Sequence, residues 1–276
     1  HNLTSDMIKK HCEFVEKTNI PVMEIGHGNG LGASSISIGE STLTDTEMIT
    51  LAKSYLKNTK LSVHVIPGIA TINRDINPAI ENGVDIFRIA SHCTEASMTK
   101  SHIEYIKSKN KTVYGALMMC ATCSLDTLVE EVKKLKSYGA DAVIIMDSTG
   151  SFLPDQVKEC FVKLSEVGIK LGFHAHNNLS LAVANSLIAI QHGASIIDAT
   201  VNGFGAGAGN TPLEIMTIIN SPSNMNVMDH IEKLEYKSPT IKLINILTAK
   251  NKLHSVFEKE ILYSANKYNI KIPNLV

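Results

Sequence analysis

Seven short apolar runs, each followed by a stretch with helical periodicity, constrain this chain more than any other feature. The runs fall at residues 21–26, 61–66, 85–90, 112–118, 142–146, 170–174 and 195–201. They are rich in Ile and Val and show little in–out alternation, the pattern of strands buried on both faces of a parallel sheet. Between them the spacing predicts helices over 45–57, 71–82, 97–107, 125–138, 154–166 and 179–192, with Thr44 and Ser124 as N-caps and Gly83, Gly139 and Gly193 near C-terminal ends. Strands alternating with helices along 276 residues predict a single α/β core, a TIM (β/α)8 barrel. The first element, 5–17, already reads as a helix capped by Thr4 or Ser5. An eight-stranded barrel places its first strand before that helix, so the seven runs are expected to be strands two to eight, with strand one upstream of His1. An open gap would otherwise expose two strand edges. After Asn220 the rhythm changes. Residues 221–224 read as a turn, and 228–234, 241–249 and 256–268 as helices with no strand between them. The expected organisation is a barrel over 1–220 and a short C-terminal helical extension over 221–276 that closes the barrel, covers its site or meets another subunit.

Composition narrows the function. A formal charge of -1, with 19% charged residues, gives no reason to expect nucleic acid or an anionic membrane as partner. No apolar run is long enough to span a bilayer, and the start lacks the form of a signal peptide. Five cysteines, Cys12, Cys93, Cys120, Cys123 and Cys160, lack the spacing of a disulfide scaffold and fit a reducing, cytoplasmic setting. Cys120 and Cys123 have Cys-X-X-Cys spacing, but no second pair accompanies them to build a zinc site.

The chemistry gathers at the C-terminal ends of the strands, the catalytic face of such a barrel. His174 and His176 stand two apart at the end of the run 170–174, where an extended backbone turns both to one face. An isolated histidine is more often a surface or core residue. Two on one face at this position point to a divalent-metal site, completed by an amide oxygen or by carboxylates of neighbouring strands. Asn210 could supply such an oxygen, directly or through water. Asp147 ends the run 142–146 and could ligate metal or cap the next helix; Ser148 beside it could meet a bound carboxylate or carbonyl. His27 opens a glycine-rich turn, Gly28-Asn29-Gly30-Leu31-Gly32, that could approach a small ligand or only make a tight bend. Gly203 to Gly209 forms a second, longer glycine loop before Pro212, suited to an anionic oxygen near a helix start. A hard ion with nitrogen and oxygen ligands keeps open positions. It could chelate a 2-oxo acid and stabilise an enolate as a neighbouring C–C bond breaks. Mixed ligation favours Mn²⁺ first, with Mg²⁺ or Co²⁺ as alternatives. A Schiff-base mechanism is not expected, because Lys60, Lys111 and Lys170 lie at strand starts.

The segments Gly26–Gly32, His92-Cys93-Thr94-Glu95, Leu117-Met118-Met119, Asp147-Ser148, His174-Ala175-His176-Asn177-Asn178 and Gly205–Glu214 together resemble the metal-dependent 4-hydroxy-2-oxovalerate aldolases of the hydroxymethylglutaryl-CoA lyase-like superfamily. The resemblance implies a TIM barrel with the ion on His174 and His176, Ser148 and His27 near substrate, and cleavage of a 4-hydroxy-2-oxo acid to pyruvate and an aldehyde through a metal-stabilised pyruvate enolate. It also implies an acylating aldehyde dehydrogenase as partner; a homo-oligomer is a further expectation, which the sequence itself does not fix. The family's Arg, its Asp ligand and its catalytic base belong to a segment upstream of His1, so no catalytic residue is assigned here. Alternatives are a Claisen-type condensing enzyme similar to isopropylmalate or citramalate synthases, which share the His-X-His-Asn and glycine features, and a catalytically degenerate barrel acting as a partner subunit.

Overall fold

The computed structural model describes residues 3–220, 226–232, 234 and 236–276. Its sheet has seven parallel strands in sequence order: β1 Val22–Glu24, β2 Lys60–Val65, β3 Ile86–His92, β4 Thr112–Met118, β5 Ala142–Asp147, β6 Lys170–Ala175 and β7 Ala194–Asp198. The helices are α1 Ser5–Lys17, α2 Asp45–Tyr55, α3 Asn77–Glu81, α4 Lys100–Ser108, α5 Leu125–Ser137, α6 Pro154–Ser165, α7 Ala182–Gln191, α8 Leu213–Asn220, α9 Asn226–Ile231, α10 Leu243–Lys250 and α11 Glu258–Tyr268. β1 and β7 are the two ends of the strand order, yet a single guanidinium, that of Arg88 on β3, reaches both Glu24 and Asp198. The sheet is therefore curled about a concave face in the α/β TIM-barrel manner.

The two faces of the sheet have separate jobs. Val63, Val65, Phe87, Ile89, Val113, Leu117, Val143, Ile145, Leu171 and Phe173 belong to the main core, which takes in side chains of α1, α2 and α4 to α7. Alternate positions form a smaller cluster, with Ala90, Ala116, Ile144 and Met146 buried together and Ile66, Tyr114, Met118 and Ile196 against them. This second set continues into Ser62, His64, Arg88 and His174, which are in register with it along the strands. Small residues and a few polar ones thus line the inside, and large apolar ones glue the outside to helices.

Local chemistry explains where elements differ from expectation. The helix expected over 71–82 is a π-type turn, Ile72–Ile76, followed by α3. Pro78 has no N–H to give, and the hydrogen-bond ladder changes register just before it. The helix expected from 179 begins at Ala182, because Ser180 has φ 59° and the Asn177 side chain takes the Ala182 N–H. Thr44 closes a full capping box with Glu47, and Ser124 caps α5, both as expected. The last strand stops at Asp198, and Thr200 pairs instead with Pro212 in the glycine loop. The turn expected at 221–224 lies outside the described residues, as do parts of the helix expected over 228–234, where α9 ends at Ile231.

Candidate active site

His174 is the second-last residue of β6, and His176 follows just beyond it. His176 is fixed in place by an antiparallel bridge to Asn210, and the neighbouring Asn177 N–H donates to the Gly209 carbonyl at 2.8 Å. Their ring centroids stand 5.2 Å apart. Two imidazoles on one ion, each with a nitrogen about 2.1 Å from it, bring their centroids to about 5 Å. The two rings are therefore near enough to share one ion. Burial pushes the His176 imidazole down to about 3, helped by His174 and His254 and opposed by the Ala206 and Gly209 carbonyls. The ring is neutral at physiological pH, the form that donates a lone pair to a metal.

The glycine loop brings the third group. Gly209 has φ +85°, and a Cβ there would press on Pro239 Cγ at 2.6 Å, so only glycine lets the chain pass. Asn210 follows it. Its amide nitrogen donates to the Phe204 carbonyl at 3.2 Å, while its Oδ1 is buried without a partner. An orphaned carbonyl oxygen in a buried amide is costly unless something binds it. Two imidazoles and an unclaimed amide oxygen are a donor set that suits a divalent ion. The carboxylate expected from a neighbouring strand is not available to join them. Among the described residues no three His, Cys, Asp or Glu side chains are grouped to hold a metal.

The nearby carboxylates are otherwise committed. Asp198 on β7 takes a hydrogen bond at 3.1 Å from His174 Nδ1, and Arg88 closes on the same oxygen at 2.6 Å. Arg88 also pairs with Glu24 on β1 at 3.1 Å, and the Ser62 hydroxyl donates to that Glu24 oxygen. The Asp198 side chain is only 19% exposed, which alone would raise its pKa; the Arg88 charge and the His174 contact outweigh this and hold it at about 2. The pair fixes His174 with its proton on Nδ1 and leaves Nε2 for a ligand. Asp147 is a correction to one of its two expected roles. Its Oδ1 and Oδ2 accept the Ser151 and Phe152 N–H groups at 3.0 Å each, with Thr149 at 3.3 Å, so it caps the loop entering α6 and does not face a metal. Burial raises its pKa against those bonds.

Ser148 is nearly buried, and its oxygen accepts the Met119 N–H at 3.0 Å, leaving the hydroxyl hydrogen free to donate. Met119 itself is left-handed, φ 62°, an uncommon state for a long side chain. His27 is buried in its own turn, with Nε2 on the Gly39 carbonyl at 3.1 Å and Nδ1 accepting the Asn29 N–H at 3.0 Å. The C-terminal helices lie over this end. The Asn178 amide donates to the Asn245 carbonyl at 3.2 Å, and Asn245 in turn donates to Glu258 at 2.8 Å.

Sequence reasoning missed Arg88, Glu24, Asp198 and His64. Arg88 had a signal, since it is the one charge inside an apolar run, Ile86-Phe87-Arg88-Ile89-Ala90. A charge in a strand buried on both faces needs partners on the lumen side. His64 is the Cα partner of Arg88 across β2 and β3, and burial pushes it down to about 4.

A curled parallel sheet with ligand-type side chains gathered past the end of β6 defines an enzyme of the TIM-barrel class. The chain belongs to the HMGL-like family, whose pattern matches residues 2–233. It is 42% identical to the 4-hydroxy-2-oxovalerate aldolase of Pectobacterium atrosepticum over 282 aligned residues, covering 98% of this chain and 82% of that one. It is 43% identical to the protein of the same name from Spirochaeta aurantia, covering 98% and 83%. On that kinship it is a carbon–carbon lyase of the aldolase kind. The fold also matches the carboxyl transferase domain of Rhizobium etli pyruvate carboxylase, with a TM-score of 0.77 at 16% identity over 97% of this chain and 50% of that one. No helix among the described residues is long and apolar enough to cross a membrane.

Proposed function

We propose that the protein is a divalent-metal-dependent aldolase that cleaves a 4-hydroxy-2-oxo acid, with 4-hydroxy-2-oxovalerate as the first substrate to test, into pyruvate and an aldehyde. The observation that carries the reading is the meeting of the His174 and His176 rings beside the orphaned Asn210 oxygen, with Asp198 behind His174. His174, His176 and Asn210 would hold the ion, Mn²⁺ first and Mg²⁺ or Co²⁺ as alternatives. A bound divalent ion supplies Lewis acidity toward the oxygens of a 2-oxo acid.

The protein's own groups have distinct tasks in this reading. Asp198 keeps the His174 proton on Nδ1, and Arg88 keeps Asp198 ionised so that it can do so. His176 needs no deprotonation before it binds, because burial has already removed its proton. The Ser148 hydroxyl offers one hydrogen bond to a substrate oxygen. His27, bonded at both ring nitrogens, shapes the turn that walls the site. The glycine loop and the C-terminal helices keep water from the bond being broken. The aldehyde product fits the expected pairing with an acylating aldehyde dehydrogenase, and the exposed Leu243, Ile246, Phe257 and Tyr263 on or beside the C-terminal helices give a second protein an apolar surface to meet.

The test is pyruvate release from 4-hydroxy-2-oxovalerate and its longer homologues by the full-length protein, with chelator and with added Mn²⁺. Release that depends on the ion and disappears in His174→Ala supports the reading. Absence of ion-dependent release from every compound in the series removes it.

A further inference from the structure

One acidic side chain of the C-terminal helices reaches both loops of the site. Glu258 opens α11, and its Oε1 accepts the Asn245 amide N–H at 2.8 Å, with the Thr248 hydroxyl at 3.5 Å. Asn245 is buried in the first turn of α10. Its Oδ1 accepts the Lys242 N–H at 2.7 Å, and its backbone carbonyl accepts the Asn178 amide at 3.2 Å. Asn178 is also buried, two residues past His176. On its other side it is wedged against Gly150, where a Cβ would stand 2.8 Å from Asn178 Cβ. Glu258 meets the glycine loop as well. A Cβ on Gly207, whose φ is +59°, would stand 3.4 Å from Glu258 Oε1 and 3.0 Å from Ser255 Cβ. The two branches converge, because the Asn177 N–H bonds the Gly209 carbonyl and His176 is bridged to Asn210.

We propose that Glu258 is a positioning residue for the ion-binding groups, acting through Asn245 and Gly207 to set where His176 and Asn210 stand. Its bearing on catalysis rests on the aldolase reading. Asn245 is buried, so its amide N–H needs an acceptor, and an ionised oxygen is a stronger one than a neutral oxygen. Bonded at both Oδ1 and Nδ2, the Asn245 side chain has one orientation, and the start of α10 is fixed with it. The carbonyl that holds Asn178 then has a fixed place. On the other branch, Glu258 and Ser255 press on Gly207 and keep the loop against Asn210. The small residues from Gly205 to Gly209 have wide backbone freedom, so this loop needs an outside hold. A negative charge that only complements the start of α11 would be equally served by Glu260, exposed in the same first turn. Of the two, Glu258 alone is bonded to Asn245.

Glu258→Ala, Glu258→Gln and Glu260→Ala are compared with the unaltered full chain in three measurements. These are calorimetric titration with Mn²⁺, backbone hydrogen exchange read by mass spectrometry, and pyruvate release. In Glu258→Ala, Mn²⁺ affinity should fall about tenfold, the low end for a group that supports a metal ligand. Exchange over 203–210 should quicken severalfold, and pyruvate release should recover at saturating Mn²⁺. Glu258→Gln keeps an oxygen for Asn245 and should restore affinity and exchange to within twofold of the unaltered chain, as should Glu260→Ala. Affinity or exchange in Glu258→Ala within twofold of the unaltered chain overturns the proposal. Glu260→Ala matching Glu258→Ala overturns it too, by reducing Glu258 to a helix-end charge, and so does Glu258→Gln as impaired as Glu258→Ala. Release that stays low at saturating Mn²⁺ overturns the ion-binding groups as the target. The exchange measurement needs neither metal nor substrate. If the unaltered chain binds no Mn²⁺, the aldolase reading fails while exchange still decides whether Glu258 holds the loop.

Discussion

Replacing Asp198 with Asn tests whether the carboxylate behind His174 organises the site. Asp198 is held at about 2 against an ordinary 3.8, so the folded protein favours its charged form by roughly 2–3 kcal/mol. The side chain is only 19% exposed, so solvent screens this energy only in part. In D198N, Arg88 keeps Glu24 but loses its closer partner at 2.6 Å. Losing one arm of a buried ion network should cost about 2–4 kcal/mol, a Tm drop of roughly 5–12 °C for a chain of this size. His174 also loses the acceptor that fixes its Nδ1 proton, and a metal-ligating histidine without such a partner binds about 10–100-fold more weakly. The assay is calorimetric titration with Mn²⁺, with a thermal melt in parallel. Since the folded pKa is depressed, the Asp198 contribution is complete above about pH 4 and is lost as pH falls toward 2. The gap between the two proteins should close over that window. A D198N protein that binds Mn²⁺ within twofold of the unaltered chain would refute the reasoning, whatever its melting temperature.

Three further outcomes follow from the same geometry. His11 and His64 are both pushed down to about 4 by burial, so the unfolded chain takes up protons first; their stabilisation is complete above about pH 6.5 and is lost as pH falls toward 4, up to about 3 kcal/mol each. The urea midpoint should drop between pH 7 and pH 5, and His11→Phe, set between Phe14 and Tyr236, should flatten that slope. Gly205→Ala places a methyl group against the Asn210 amide, with Asn210 Cγ at 2.8 Å, so Mn²⁺ affinity should fall severalfold in titration while the melt moves little. Asp147→Ala strands the Ser151 and Phe152 N–H groups and should cost about 2–4 kcal/mol in a denaturant melt; Mn²⁺ affinity unchanged within twofold in the folded variant distinguishes a cap from a ligand.

Much of the barrel was legible because its strands repeat one local rule. Ile- and Val-rich runs such as Ala142–Asp147, buried along their whole length, can lie only inside a parallel sheet covered on both sides. The His174–His176 pair was legible for a similar reason, since two residues apart on one strand means one face whatever surrounds it. The fate of Asp147 was not. A carboxylate at a strand end can turn to the lumen or back to the next loop, and the choice depends on where Ser151 and Phe152 present their N–H groups.

The sequence by itself determined the alternation of strand and helix, the caps at Thr44 and Ser124, and the ends of strands where polar groups gather. These depend on neighbours within a few residues, so period and composition suffice. Only the tertiary structure decided that Arg88 joins Glu24 to Asp198, that Asp198 holds His174, and that Asn210 is left with a bare oxygen. Arg88 and Asp198 are 110 positions apart, and the link exists because the sheet curls. Long-range pairing of charges is set by closure of a surface, and no local pattern carries that information.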